Sequence, residues 1–230
     1  MDFLARNKVF IGIIAVTLIL LFGGVYFMSR GSSTATTAKP ASTEILIPAD
    51  SEKTSGIVNG NYEAASASAK VTLVEFGDYE CPACGAYHPF VKQLLTDLAG
   101  KVTFVFRNFP LSQHANALIS AYAAEAAGRQ GKFWQMHDKI YETQNGWATS
   151  TDAKNIFIGY AQGLGLNMDQ FKKDIDSQSV KDSVQKGVDD GNLVGITETP
   201  TYYLDGIKMN LPGTYDEFKA AVSAEVSKVQ

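Results

Sequence analysis

Residues 71–85 read VTLVEFGDYECPACG. The run 71–76 is apolar almost throughout and rich in β-branched side chains. Such a run predicts a strand buried on both faces, as in a parallel or mixed sheet. One residue, Glu75, interrupts it. Beyond the strand stand Cys81 and Cys84, the only two cysteines of the 230-residue chain. A helix is expected to begin there: Cys81 lies near its start and Pro82 suits the first turn. Val91, Leu94, Leu95 and Leu98 supply its apolar stripe, and Pro89 inside that stripe predicts a kink. A Cys-Pro-Ala-Cys pair with this setting has three readings: a redox pair, half of a metal site, or a structural staple.

The flanking sequence extends the pattern. Residues 101–106, KVTFVF, read as a second strand, and Pro110 ends its ladder. Strand, helix and strand in this order imply a parallel pair. Residues 112–192 have helical periodicity: Leu118, Tyr122 and Ala126 share a face, as do Phe133, Met136 and Ile140. Asn167 with Gln170 predicts a capped helix start, and Val180, Val184 and Val188 continue at the same spacing. This block reads as a separate bundle or a lid on the sheet. Residues 201–204 return to strand, Asp205-Gly206 predicts a tight hairpin turn, and 207–211 run back antiparallel. Thr214 with Glu217 opens a last helix whose apolar face is Tyr215, Phe218, Val222 and Val226. The order is β-α-β, a helical block, then β-β-α.

The N-terminal region differs in kind. Residues 9–28, VFIGIIAVTLILLFGGVYFM, carry no charge. A helix of that length spans roughly 30 Å, the thickness of a hydrocarbon core. Arg6 and Lys8 precede it, so residues 1–8 are expected to stay cytoplasmic and the rest to be exported. A cleaved signal peptide is the other reading. Residues 29–53, rich in Ser, Thr, Ala and Pro, read as a tether, leaving 54–230 as the exported domain. With 20 Lys and Arg against 24 Asp and Glu and a net charge of −4, there is no electrostatic reason to expect a nucleic-acid partner. Export opens a compartment that permits disulfides.

Among the three readings of the cysteines, metal and staple are weak. Structural zinc takes four ligands, commonly in two pairs. Here two cysteines meet three scattered histidines, His88, His114 and His137, so no metal site is expected. A staple across two residues constrains little chain. A redox pair suits the position, because unpaired N–H groups and the dipole at a helix start stabilise a thiolate on Cys81. Cys84, one turn inside, is placed to attack a mixed disulfide on Cys81 and release the partner. Glu75, if buried in its strand, is expected to hold its proton more tightly than a free carboxyl, and so to exchange protons with Cys84. His88 reads as an exposed or half-buried helix histidine, His137 as a packing residue, and His114 as a cap or packing residue. Tyr79 and Tyr87 read as an apolar platform beside Cys81 or as ordinary packing.

The stretch VEFGDYECPAC resembles the active-site strand and helix of DsbA-like thiol–disulfide oxidoreductases of the thioredoxin superfamily. GITETPTYYLDG resembles that family's second hallmark, a cis-proline loop followed by a strand, with Thr199-Pro200 falling on it. FRNFPLSQHANA and AAEAAGRQGKFWQMHDKIY resemble the helical insertion of its membrane-anchored and exported bacterial branch. The resemblance covers roughly residues 56–230. It implies an α/β thioredoxin fold with an inserted helical subdomain at about 112–192, preceded by a transmembrane helix. It implies that Cys81 is the nucleophile, Cys84 resolves, and Glu75 is the buried acid. Thr199 and Pro200, with Pro82 and Ala83, would then form the loop where an extended substrate strand docks through main-chain hydrogen bonds.

What the family does sets the remaining expectations. The function implied is an exported oxidase that places disulfides in secreted or cell-envelope proteins, with no cofactor beyond the Cys81–Cys84 disulfide. Its partners would be reduced or unfolded exported proteins and a membrane quinone-linked thiol oxidase. A reductase or isomerase, and a chaperone-like binding module with a structural Cys pair, stand as alternatives. The family's strongest oxidants carry Pro-His between the cysteines, where this chain has Pro82-Ala83. That difference, and the negative charge of Glu80, are expected to raise the Cys81 pKa relative to those proteins.

Overall fold

The computed structural model describes residues 57–58 and 69–229. The expected anchor at 9–28, the segment 1–8 and the tether 29–53 lie outside the described residues. Among the described residues, no helix is long and apolar enough to cross a membrane.

Residues 71–85 form strand β2, Val71–Gly77, and the start of helix α1, Pro82–Asp97, which continues through Pro89. Strand β3, Val102–Asn108, follows and runs parallel to β2 from Val71 opposite Val102 to Gly77 opposite Asn108. Strand β4, Thr201–Leu204, lies antiparallel on the other side of β2. The hairpin turns at Asp205 and Gly206, whose φ values of 47° and 80° suit the tight turn, into the short strand β5, Ile207–Lys208. The turn is also tied back to β2, since Thr72 N donates to Asp205 Oδ1 at 2.7 Å. Strand β1, Ile57–Val58, pairs antiparallel with β3, a partner that the apolar periodicity had not marked. The sheet order is β1-β3-β2-β4-β5.

The insertion supplies helices α2 (Ala117–Gly128), α3 (Phe133–Glu142), α4 (Gln144–Trp147), α5 (Ala153–Gly163), α6 (Met168–Asp174) and α7 (Gln178–Leu193). Helix α8, Tyr215–Val229, closes the chain. The block is neither detached nor a loose lid. Val71, Leu73, Phe104 and Phe106 of the sheet share one buried cluster with Ala124 of α2, Met136 of α3, Phe157 of α5, Val91 and Leu94 of α1, and Phe218 of α8. The alternate residues Val74, Phe76, Val105 and Tyr203 pack on the opposite face with Phe109 and Ile196. This period-two division is what a strand buried on both faces requires.

Two local readings shift. Helix α2 buries its alanines and Ser120, while Leu118 is 52% exposed. Close neighbours on several sides select small residues there, so the large side chain turns outward. Both capping pairs keep one arm and redirect the other. Gln170 N donates to Asn167 Oδ1, but Asn167 N donates to Gln130. Glu217 N donates to Thr214, while the Glu217 carboxylate accepts from Gly213 N.

Candidate active site

Cys81 occupies the N-cap of α1, with extended backbone at φ −64° and ψ 120°, and Pro82 opens the first turn. Both cysteines are free thiols. Cys84 is fully buried, Cys81 is 7% exposed, and Pro82 and Ala83 face outward. The Thr199–Pro200 bond is cis, and its loop meets the helix start: Cys81 Sγ donates to the Thr199 carbonyl at 3.2 Å. That contact suits a thiol, whose hydrogen a carbonyl accepts. A thiolate needs a donor instead. The Thr199 hydroxyl is buried and has no hydrogen-bond partner among the described residues, so it is available to the thiolate, and it lowers the Cys81 pKa.

The two thiols are driven apart. The Cys81 pKa is lowered to about 5, chiefly because the Cys84 thiol hydrogen-bonds its sulfur; burial opposes this, and the backbone N–H groups of Cys84 and Ala83 add to it. Burial pushes Cys84 well above the usual thiol range, and the charges of Glu75 and Cys81 push the same way. The Glu80 carboxylate, expected to work against the thiolate, accepts from Asn116 N at 2.5 Å.

Glu75 is 3% exposed and belongs to a central strand, flanked by β3 and β4 rather than by solvent. Phe106 and Tyr202 are its partners in register on the two neighbouring strands. Burial raises its pKa to about 8; the facing Tyr202 pulls it down, and the Cys81 charge adds a smaller increase. The Tyr141 hydroxyl, also buried, has no hydrogen-bond partner among the described residues. The structure thus brings Glu75, Cys81, Cys84 and Thr199 together at one end of the sheet.

Several residues that hold this end were not singled out by the sequence. Asp78 is buried, and its carboxylate accepts from Glu80 N at 2.8 Å, from Leu111 N at 2.9 Å and from His114 Nδ1 at 2.6 Å. Asn116 donates through its side chain to the carbonyls of Trp147, Ala148 and Ser150. Gln144 Nε2 donates to Tyr79 O at 2.7 Å and to Cys81 O at 2.9 Å, and its amide fills the space where a Gly85 Cβ would stand. Such contacts join residues far apart in the chain, which periodicity does not register. Only the type and position of Asp78, directly after the buried strand, hinted at a role.

The tyrosines and the other histidines pack. Tyr79 hydrogen-bonds His137 Nδ1 at 2.9 Å and lies against Phe106 and Tyr141. The Tyr87 hydroxyl donates to Pro212 O. The donor atoms of His88, His137 and Asp138 lie within 4.8 Å of one another. Burial lowers both imidazole pKa values. The Lys92 ammonium lies 3.0 Å from Asp138 Oδ2 and 2.8 Å from Glu142 Oε1, so the Asp138 carboxylate already has a cationic partner.

A family model described as Thioredoxin matches residues 56–224. Among curated proteins, "Na(+)/H(+) antiporter NhaA 1" of Salinispora arenicola is 35% identical over 182 residues, covering 79% of this chain and 26% of that protein. The chain thus spans about a quarter of the length of the curated relatives it matches. Among solved structures, a thioredoxin-like oxidoreductase from Silicibacter pomeroyi is similar with a TM-score of 0.64 and 24% identity, over 81% of this chain and 99% of that one. The thiol-disulfide exchange protein alpha-DsbA2 of Wolbachia pipientis is similar with a TM-score of 0.62 and 17% identity, over 82% and 96%. At these identities the likeness to solved structures speaks for the fold.

Proposed function

This chain belongs to the thioredoxin family, and from that membership we propose that it is an exported DsbA-like protein thiol–disulfide oxidoreductase working in the oxidising direction. The observation that carries this reading is the separation of the two thiols. Cys81 ionises readily at a helix start beside the Thr199–Pro200 loop, while Cys84 is buried and holds its proton. A pair whose attacking sulfur rests comfortably as a thiolate is stabilised when reduced, and a stabilised reduced form makes a strong oxidant.

The proposed exchange runs through two displacements at sulfur. A client thiolate attacks the Cys81 sulfur of the oxidised pair, and the Cys81–Cys84 bond breaks. Cys84 leaves with the electron pair and takes the proton of Glu75, which solvent later restores. A second client thiolate attacks the client's own sulfur in the mixed disulfide, and Cys81 departs as a thiolate. The client gains one disulfide and the pair gains two electrons. The pair itself carries those electrons, so no further cofactor is invoked.

The wider setting is part of the proposal. Clients are reduced exported proteins, docking an extended strand beside Thr199 and Pro200. A membrane quinone-linked thiol oxidase returns the pair to the disulfide. The domain 54–230 is held at the bacterial cell membrane by a single span at 9–28, with 1–8 cytoplasmic and 29–53 as tether. The quarter shared with the longer antiporter-named relatives is read as a thioredoxin-fold module of those proteins, and ion transport is not carried over. Equilibrating the protein with glutathione tests the direction. A potential closer to roughly −120 mV than to roughly −270 mV is expected, and the reverse would place it among reductases.

A further inference from the structure

The inner residues of the redox motif, Pro82 and Ala83, carry no charge, yet Cys81 is poised to ionise. An imidazole able to carry a positive charge stands beside Asp78, on the turn after β3. His114 Nδ1 lies 2.6 Å from Asp78 Oδ2, with the imidazole 19% exposed and the carboxylate side chain at 0%. Asp78 touches both cysteines through its backbone. Cys81 N donates to Asp78 O at 3.1 Å, and Asp78 N lies 3.5 Å from Cys84 Sγ. The turn bearing His114 is fixed to the motif by two further bonds, Leu111 N to Asp78 Oδ2 and Asn116 N to Glu80 Oε2. The buried Asp78 side chain is thus matched by an imidazole at hydrogen-bond distance.

We propose that His114 is a positioning residue of the redox pair: as an imidazolium held by Asp78, it supplies from outside the Cys81–Cys84 loop the positive charge that stabilises the Cys81 thiolate. The inference rests on the exchange chemistry proposed above. The charged groups facing His114 are Asp78, Cys81 and Glu80. Burial alone draws the imidazole down, but the Asp78 hydrogen bond and charge, then Cys81 and Glu80, outweigh it and keep it protonated more readily than a free histidine. Coupling is reciprocal: a thiolate that favours the imidazolium is favoured by it.

The test needs no client protein, so it stands apart from whether the chain oxidises one. Thiolate absorbance is followed against pH in wild type and His114→Gln, which retains an N–H for Asp78 but not the charge. The acid constant of Cys81 is expected to fall roughly three- to tenfold in the variant. The His114 ring is also followed by NMR in the wild-type protein, oxidised and reduced. Its midpoint is expected at higher pH in the reduced form, where the thiolate exists. Superimposable thiolate titrations in a folded variant, or equal His114 midpoints in the two redox states, overturn the proposal. Loss of client oxidation with both couplings present would instead remove the proposed function and leave the pair of groups coupled.

Discussion

Glu75 shows how one residue turns burial into chemistry. With its pKa at about 8, the carboxyl is protonated at pH 7, and in the proposed exchange it would hand that proton to Cys84 as the disulfide opens. Cys84 alone is a poor leaving group, because burial holds its pKa high. Glu75→Gln is therefore expected to slow opening of the oxidised pair by about 10²-fold or more at pH 7, read by stopped-flow fluorescence with a small dithiol. The deficit is expected to shrink above pH 8, where the wild-type carboxyl has lost the same proton. Glu75 was legible because a charge inside an apolar strand is conspicuous, and so were Cys81 and Cys84. Asp78, His114 and Gln144 were not, because their meaning lies in partners that only folding brings near.

Among the elements, α7 depends on having no side chain at two points. A Cβ on Gly187 would stand 2.4 Å from Asn108 O, and one on Gly191 would stand 2.5 Å from the Phe109 ring. The helix thereby lies directly on the end of β3. Gly187→Ala meets backbone, which cannot swing aside, and is expected to destabilise the fold by about 1–3 kcal/mol. Urea unfolding measures that cost, while the Cys81 thiolate titration is expected to stay where it was. The main elements were legible because β2 and β3 are short, nearly unbroken apolar runs and α1 and α8 carry apolar stripes at a period of about 3.6 residues. Strand β1 was not, since Ile57–Val58 is too short to show a period and pairs along the edge of β3 opposite β2. Leu118 misled because helical spacing reveals a face and not how much room its neighbours leave.

For the whole molecule, stability and redox state are linked through protons. Burial raises Glu75 to about 8 and Glu125 to about 7. Both start from 4.5, so the folded state binds protons that the unfolded state has released. Their contribution is complete below pH 4.5 and is lost as pH rises through those values. His114, also raised, acts with the same sign. The buried His88 and His137, lowered, contribute fully above pH 6.5 and lose that contribution only on acidification. Between pH 6.5 and 8.5 the oxidised protein is thus expected to become less stable. In the reduced protein Cys81 opposes that slope, because its pKa falls from 9.0 to about 5 on folding. Urea midpoints across this range are expected to drop more steeply for the oxidised form; equal slopes would contradict the low Cys81 value.

The amide of Gln144 gives these energetic links a mechanical side. It grips the carbonyls of Tyr79 and Cys81 at once and occupies the hollow beside Gly85, yet it belongs to the insertion rather than to the sheet. If Cys81 carries a client as proposed, the pull falls both on the helix it begins and on the insertion clasping that helix's first turn. The insertion thereby braces the backbone from which the Cys81 sulfur projects.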